Sequence, residues 1–366
     1  MNDSPVAVNW ALEAKDLSVD LGGQRVLEIP SLRVKRNEVL TIVGPNGSGK
    51  TTLLLCLASL LRPTTGTVSY EGRLATSTVE LRRRFAVVFQ EPLLLHASVW
   101  DNVTLGLRLR GKKPGDLQSR TQKWLDRFGV GHLPRRNART LSGGEAKRVS
   151  LARAFVLDPE ILFLDEPFNA LDSPTRQALL EDFEGVVRET KVTTVMVTHD
   201  RNEALAIGDR VAVIMGGHLR QLGTPDEVFS SPVDEEVAEF VEAGNILHGV
   251  VSEQSNGLAS VTVQNGQIQA VSSLPQGTRV AVYLHHEHVT LFLNAPGTTL
   301  SSARNQLRAT ITRAFPLGTQ LKVTLDCGFT LASLVTKRSW DELGLKVGTE
   351  VWVSFKASAV HLIPMP

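Results

Sequence analysis

Short apolar runs that stop abruptly on polar residues recur through the first two-thirds of the chain. Val39–Val43 runs into a glycine-rich turn, 85–89 into Gln90, 161–164 into Asp165, and 192–197 into Thr198 and His199. Such runs predict strands buried on both faces of a sheet. Helical patterns separate them, so residues 10–223 predict an α/β domain with a largely parallel core. Between 92 and 157 the pattern is mostly helical, broken by a loop at 111–115, which predicts a helical insertion. Residues 225–242 form an acidic helical segment, expected to be the join to a second domain. After Asn245 the pattern changes to short alternating strands separated by Gly, Asn and Pro turns, which predicts a small all-β module. That module repeats itself: 277–282 with 289–291 matches 348–353 with 360–362 at the apolar sites, and 245–247 matches 305–307. Two copies of one β unit burying their faces together are expected. The expected boundaries are 1–232 for the first domain (helical part about 92–158), 233–244 for the join, and 245–366 for the β domain, with repeats 245–293 and 301–366.

A chain of 366 residues exceeds one ordinary core and agrees with two domains. The net charge of +1 gives no broad basic field, so nucleic acid is not an expected partner. Two cysteines, Cys56 and Cys327, are too few and too far apart for a disulfide framework. No charged and apolar leader is visible, and the longest apolar stretch, 53–61, is far short of the roughly 20 residues that span a bilayer. These features predict a soluble protein of a reducing compartment. Any membrane span it serves must come from another chain.

The sharpest motif is Gly44-Pro45-Asn46-Gly47-Ser48-Gly49-Lys50-Thr51, which reads G-x-x-x-x-G-K-[ST] between a predicted strand and a predicted helix. Backbone N–H groups and a helix N-terminus in that context wrap a polyphosphate. Lys50 would neutralise its terminal phosphates, and the Thr51 hydroxyl would ligate Mg²⁺. Asp165 is expected to hold the same Mg²⁺ through water. Glu166 is left to orient or deprotonate an attacking water. His199 would hydrogen-bond the γ-phosphate and that water. Ser142 and Glu145 stand in capping-box relation before a helix, and Gly143 and Gly144 leave its backbone open to a phosphate. Since the Lys50 loop already fills with one nucleotide, a second anion-binding tip predicts a site completed by a second copy of the chain.

In order and spacing, Gly44 to Thr52, Gln90, 141–145, Asp165-Glu166, 169–172 and His199 resemble an ABC-transporter ATP-binding subunit over roughly residues 11–242. The resemblance implies a P-loop NTPase fold and a head-to-tail homodimer enclosing two ATP molecules. Each ATP would lie between the phosphate loop of one subunit and Ser142, Gly143, Gly144 and Glu145 of the other. It also implies that Gln90 senses Mg²⁺ and the γ-phosphate, that 91–99 receives a permease's coupling helix, and that Asp172 communicates across the dimer. An integral membrane permease and an extracytoplasmic solute-binding protein are implied partners, with the chain peripheral on the cytoplasmic face of the membrane. Two positions depart from the pattern. Leu21 stands near where the family places an adenine-stacking aromatic, and Lys147 stands where many members have Gln. Neither is expected to touch the phosphate chemistry.

The C-terminal module resembles the OB-like, duplicated TOBE and Mop regulatory domains of importer ATPases. Residues 301–307 and 355–360 are similar to the oxyanion-binding version found with molybdate and tungstate importers. A tetrahedral dianion needs hydroxyl and backbone N–H donors with a cation close by. Ser302, Ala303, Arg304, Lys356 and Ser358 are the expected set, and a capped strand with a solvated face is the plainer reading of the same residues. The first repeat has 285–288, His-His-Glu-His, at the counterpart of 356–359, read as a polar strand edge or a metal-binding cluster. The expected function is an ATPase driving tungstate or molybdate import. The alternatives are another solute (sugar, sulfate, iron or polyamine) and a non-transport ATPase of the same superfamily.

Overall fold

A computed structural model describes residues 10–75, 79–241, 244–295 and 302–365. Ser301 and the segment 242–243 of the expected join lie outside them. The chain divides into two compact units between Pro225 and Asp226.

The first unit is built on a ten-stranded sheet. One half of it is five parallel neighbours, in the order Arg210–Met215, Val39–Val43, Thr193–Val197, Ile161–Asp165 and, at the edge, Phe85–Val88. Three of these, Val39–Val43, Ile161–Asp165 and Thr193–Val197, are buried at every position, as apolar runs covered on both faces must be. The register pairs Ile42 with Val197 and Asp165 with Val197, so the strands end level. The residues following them, Gly44, Gln90, Asp165-Glu166 and Thr198-His199, therefore leave the sheet along one edge, where ligands of open α/β sheets bind. An antiparallel flank begins with the hairpin Trp10–Leu21 and Gln24–Lys35.

The helical insertion contains Val99–Leu109, Pro114–Arg127 and Gly143–Phe155. The loop expected to reach residue 115 stops short of it. Pro114 opens the second helix, where its fixed φ suits the first turn and its missing N–H costs nothing. A chain of rings locks this insertion to the sheet layer: Trp124 to Phe155 at 5.0 Å, Phe128 to Phe155 at 5.6 Å, and Phe155 to Phe183 on helix Ser173–Thr190 at 6.2 Å. Such pairs contribute about 0.5–1.5 kcal/mol each beyond burial. They fix helix Gly143–Phe155 at its far end and leave its N-terminal tip at the surface.

The second unit includes the short helices Pro225–Ser230 and Glu235–Phe240. They pack there rather than forming a free join, because Val228, Phe229, Val237 and Ala238 are buried and the Tyr283 hydroxyl donates to Phe229 O at 3.1 Å. Two five-stranded antiparallel sheets follow. The repeats do not each close their own sheet. Thr290–Phe292, the end of the first repeat, pairs with Glu350–Phe355 of the second. Val360–Pro364, the end of the second, pairs with Arg279–His285 of the first. One-turn helices at His286–His288 and Ala357–Ala359 make the two crossovers. Matched asparagines peg the exchange. Asn245 bonds Ala332 N and Ala332 O of the second repeat, and Asn305 bonds Gln269 N and Gln269 O of the first. Both asparagines are buried, and each satisfies one N–H and one carbonyl of the other repeat's backbone.

Candidate functional site

The turn after Val39–Val43 leads into helix Lys50–Leu57, whose N-cap is Gly49 at φ +96°. A β-carbon there would stand 2.9 Å from Val26 O, so the turn requires glycine twice over. No side chain caps this helix and its first turn holds no acid, so its positive end is left for a ligand. The Lys50 ammonium donates to Gly44 O at 2.9 Å and Pro45 O at 2.8 Å, folding the loop around itself. Burial holds its pKa below the ordinary lysine value against the pull of Glu166 and Asp165. The buried Ser48 hydroxyl has no hydrogen-bond partner among the described residues. That is the signature of a cradle whose partner belongs to a ligand.

Across the cleft, Thr51 Oγ1 donates to Asp165 Oδ1 at 3.1 Å. Burial raises the Asp165 pKa, with Glu166 adding to it and the Thr51 hydrogen bond working against it. Glu166 sits at φ +44°, and its N–H is held by Val197 O at 2.9 Å. This strained backbone turns its carboxylate into the cleft. Its Oε2 accepts from Asn169 Nδ2 at 2.8 Å and its Oε1 lies 3.3 Å from His199 Nδ1. The cleft measures about 540 Å³ and is lined by Asn46 to Thr52, Gln90, Glu166, Asn169 and His199, with Leu21 and Val26 at the side. Its volume suits a small ligand. Leu21 is 49% exposed, so the lining offers aliphatic contact and no aromatic ring. The Thr51 hydroxyl beside the Asp165 carboxylate is the hard-oxygen pair that a Mg²⁺ ion takes.

Ser142, Gly143, Gly144 and Asp172 do not line that cleft. Ser142 caps helix Gly143–Phe155 in a full capping box: Glu145 N donates to the Ser142 hydroxyl at 3.3 Å, and Ser142 N to the Glu145 carboxylate at 2.7 Å. A β-carbon on Gly144 would meet the Thr175 methyl at 2.8 Å, whereas one on Gly143 would meet nothing within 4 Å. Asp172 caps helix Ser173–Thr190 through Thr175 N at 3.0 Å, and Thr175 is the residue beside Gly144. Gly144 thus has a reason within the chain, and Gly143 has none.

Lys147 does not line the cleft, but it is tied to a residue that does. It is buried and donates to Gln90 O, and Glu166, Glu203 and Asp165 are the charges acting on it. Burial nevertheless holds its pKa below the usual lysine value. The signal was present in the sequence: Lys147 shares a helical face with Ser150, Leu151 and Ala154, all buried. Glu203 was also missed. It is buried, accepts from the Thr198 hydroxyl at 2.5 Å, and has its pKa raised by burial.

In the second unit, Ser302, Ala303, Lys356 and Ser358 line one cleft of about 560 Å³, together with Glu287 and His288 from the first repeat's crossover. Arg304 is not among its lining residues. His285 caps the His286–His288 turn, its Nδ1 accepting from Glu287 N at 3.4 Å.

Residues 27–169 match the ABC transporter family, and residues 301–362 match the TOBE domain. The chain is 37% identical over 361 residues to the molybdate/tungstate import ATP-binding protein WtpC of Pyrococcus horikoshii, covering 96% of this chain and 100% of that protein. It is also 37% identical over 249 residues to the spermidine/putrescine import ATP-binding protein PotA of Mesoplasma florum, 68% of this chain and 71% of that one. Among solved structures, a dimeric post-hydrolysis state of an ATP-binding cassette bound to ADP and Pi matches with a TM-score of 0.54 and 28% identity. That match covers 58% of this chain and 98% of the other. Among the described residues no helix is long and apolar enough to cross a membrane.

Proposed function

The chain belongs to the ABC transporter family, and from that premise we propose that it energises the import of tungstate or molybdate. It is an ATP-binding, ATP-hydrolysing importer subunit, a role that entails membrane permease partners and a dimeric arrangement of the ATPase. The solute reading rests on one observation: Ser302, Ala303, Lys356 and Ser358 share a cleft in the C-terminal domain, hydroxyl donors beside a cation. The full-length likeness to a molybdate/tungstate import subunit supports it. Arg304 joins them in the proposal as a second cation at the same sequence motif.

In the proposed mechanism, the backbone of 44–52 and the Lys50 ammonium bind the triphosphate. Thr51, Asp165 and Gln90 would hold Mg²⁺, which when bound would supply positive charge against the transferring phosphoryl group. Glu166, anchored by Asn169, accepts a proton from the attacking water while His199 orients the reacting groups. Ser142, Gly143, Gly144 and Glu145 of the second copy close over the nucleotide, with Asp172 beside them. The unfilled space at Gly143 supports that closure, since a phosphate can approach the helix tip there. The chain works at the cytoplasmic face of the membrane, with an extracytoplasmic binding protein delivering solute to the permease.

Calorimetric titration of the full-length protein with tungstate, molybdate and sulfate tests the solute. Heat with tungstate or molybdate, lost in Lys356→Ala, is expected, and no heat with any oxyanion would remove the reading. One observation favours a second solute class. Glu287 lines the same cleft, and a carboxylate there repels a dianion but receives a polyamine cation. Spermidine belongs in the same titration.

A further inference from the structure

Two features of the first unit are far apart in sequence and serve different nucleotides under the proposed reading. Gln90 lines the cleft of its own subunit's phosphate loop. The Ser142–Gly144 tip lines no part of that cleft and is offered to the partner. By the covalent chain they are joined only through the whole of 91–141. In space they are joined directly, because Lys147, just over one turn into the helix that the tip begins, donates to Gln90 O. The same helix reaches the next residues of the loop through Arg153, whose guanidinium donates to Leu93 O at 2.9 Å and Pro92 O at 2.7 Å. The helix therefore grips the Gln90 loop at both ends, and the Lys147 end is the one beside Asp165 and Glu166.

We propose that Lys147 is a positioning residue that transmits the position of Gln90 to the Ser142–Gly144 tip, so that nucleotide in a subunit's own cleft readies the surface it presents to the partner's nucleotide. A side chain serves this purpose when it is stiffly held and its bond has no competitor. Lys147 is buried, so water does not compete for its donors. A charge-assisted bond to a carbonyl is also stronger than a neutral one. The proposal rests on the nucleotide-sandwich reading above and adds to it the element that links the two sites.

The test compares K147M, which removes the donor and keeps the aliphatic stem, with K147Q, which restores a neutral donor. Three quantities are read on the full chain: ATPase kcat and KM, the ATP concentration that drives dimerisation in an E166Q background, and Tm. For K147M, kcat should fall and the dimerisation midpoint should rise by about tenfold, within the range usual for coupling between sites. Nucleotide affinity of the monomer and Tm should stay near wild type, and K147Q should recover to within about threefold. The proposal is overturned if K147M closes and turns over as the wild type does, or if its monomer affinity or Tm collapses with its turnover. It is equally overturned if K147Q is as impaired as K147M. Failure of the wild-type chain to dimerise with ATP would instead sink the sandwich reading itself.

Discussion

Replacing Glu166 by Gln isolates one proton acceptor with little else disturbed. The carboxylate Oε2 accepts from Asn169 Nδ2 at 2.8 Å, a bond that the Gln amide oxygen can keep. The other oxygen, 3.3 Å from His199 Nδ1, becomes an NH₂ group, so at most one hydrogen bond is lost. That bounds the stability cost to about 0.5–1.5 kcal/mol. Turnover should suffer far more. A positioned general base contributes about 10²–10⁴-fold, which is about 2.7–5.4 kcal/mol of barrier at 1.36 kcal/mol per decade. The assay is steady-state phosphate release with Mg-ATP beside equilibrium nucleotide binding and a melting curve. Turnover should drop through that range while affinity and Tm hold. A variant that hydrolyses ATP within threefold of wild type would refute Glu166 as the base. A parallel loss of affinity would make it a binding residue instead.

Gly143→Ala separates what the helix tip does within the chain from what it does outside it. A β-carbon there meets nothing within 4 Å, and alanine is the better helix former by about 1 kcal/mol at most, so Tm should hold or rise slightly. ATP turnover should nevertheless fall by about tenfold or more, since the methyl group would occupy the phosphate's approach; unchanged turnover would count against a partner's nucleotide at this tip. His361→Gln probes the second unit by pH. His361 Nε2 lies 3.0 Å from Pro232 O, and burial holds its pKa below the ordinary histidine value of 6.5, against the carbonyl's pull. Because the folded pKa is depressed, its stability contribution is complete above 6.5 and shrinks as pH falls below that value. Wild type should therefore lose about 2 °C of Tm relative to H361Q on acidification from pH 7.5 to 5.5, and parallel melting curves would refute the assignment.

What could be read directly from the sequence was chemistry carried by short contiguous patterns. The phosphate loop announces itself because strand, glycine turn and helix lie within one stretch, and the capping box at Ser142 because its two partners are three residues apart. The strand-end acids were legible for a related reason: a fully buried parallel strand reads as an apolar run, and its end is a discontinuity. The burial of Lys147 was legible in its helical face, but its bond to Gln90 was not, because only the fold brings the two together. The strand exchange in the second unit was illegible for the same kind of reason. The repeats predicted matching strands, and period-two alternation says which face is buried but nothing about whose sheet a strand completes. The short helices at 225–240 read as a join because they are acidic. Their burial depends on Tyr283 and His361, far along the chain.

The two crossover turns differ in composition, and that difference sets how many oxyanions the duplicated domain should take. Each crossover turn brings its own repeat's polar residues against a strand borrowed from the other. At the cleft of Lys356 and Ser358, the first repeat contributes Thr290, Phe292, Glu287 and His288. The matching turn of the first repeat carries His285 where the second has Lys356, and Glu287 where it has Ser358. His285 is buried and turned inward to cap its own backbone, so no exposed ammonium stands there. A Lys-to-His and Ser-to-Glu exchange removes a fixed cation and a hydroxyl donor, and both losses work against a dianion. Two equal sites would require a second Ser-Ala-Arg-Asn segment ahead of Ile246, and the chain has none there. The calorimetric titration should therefore saturate at one oxyanion per chain or fewer. Two equivalent sites per chain would contradict the role given to Lys356 and Ser358.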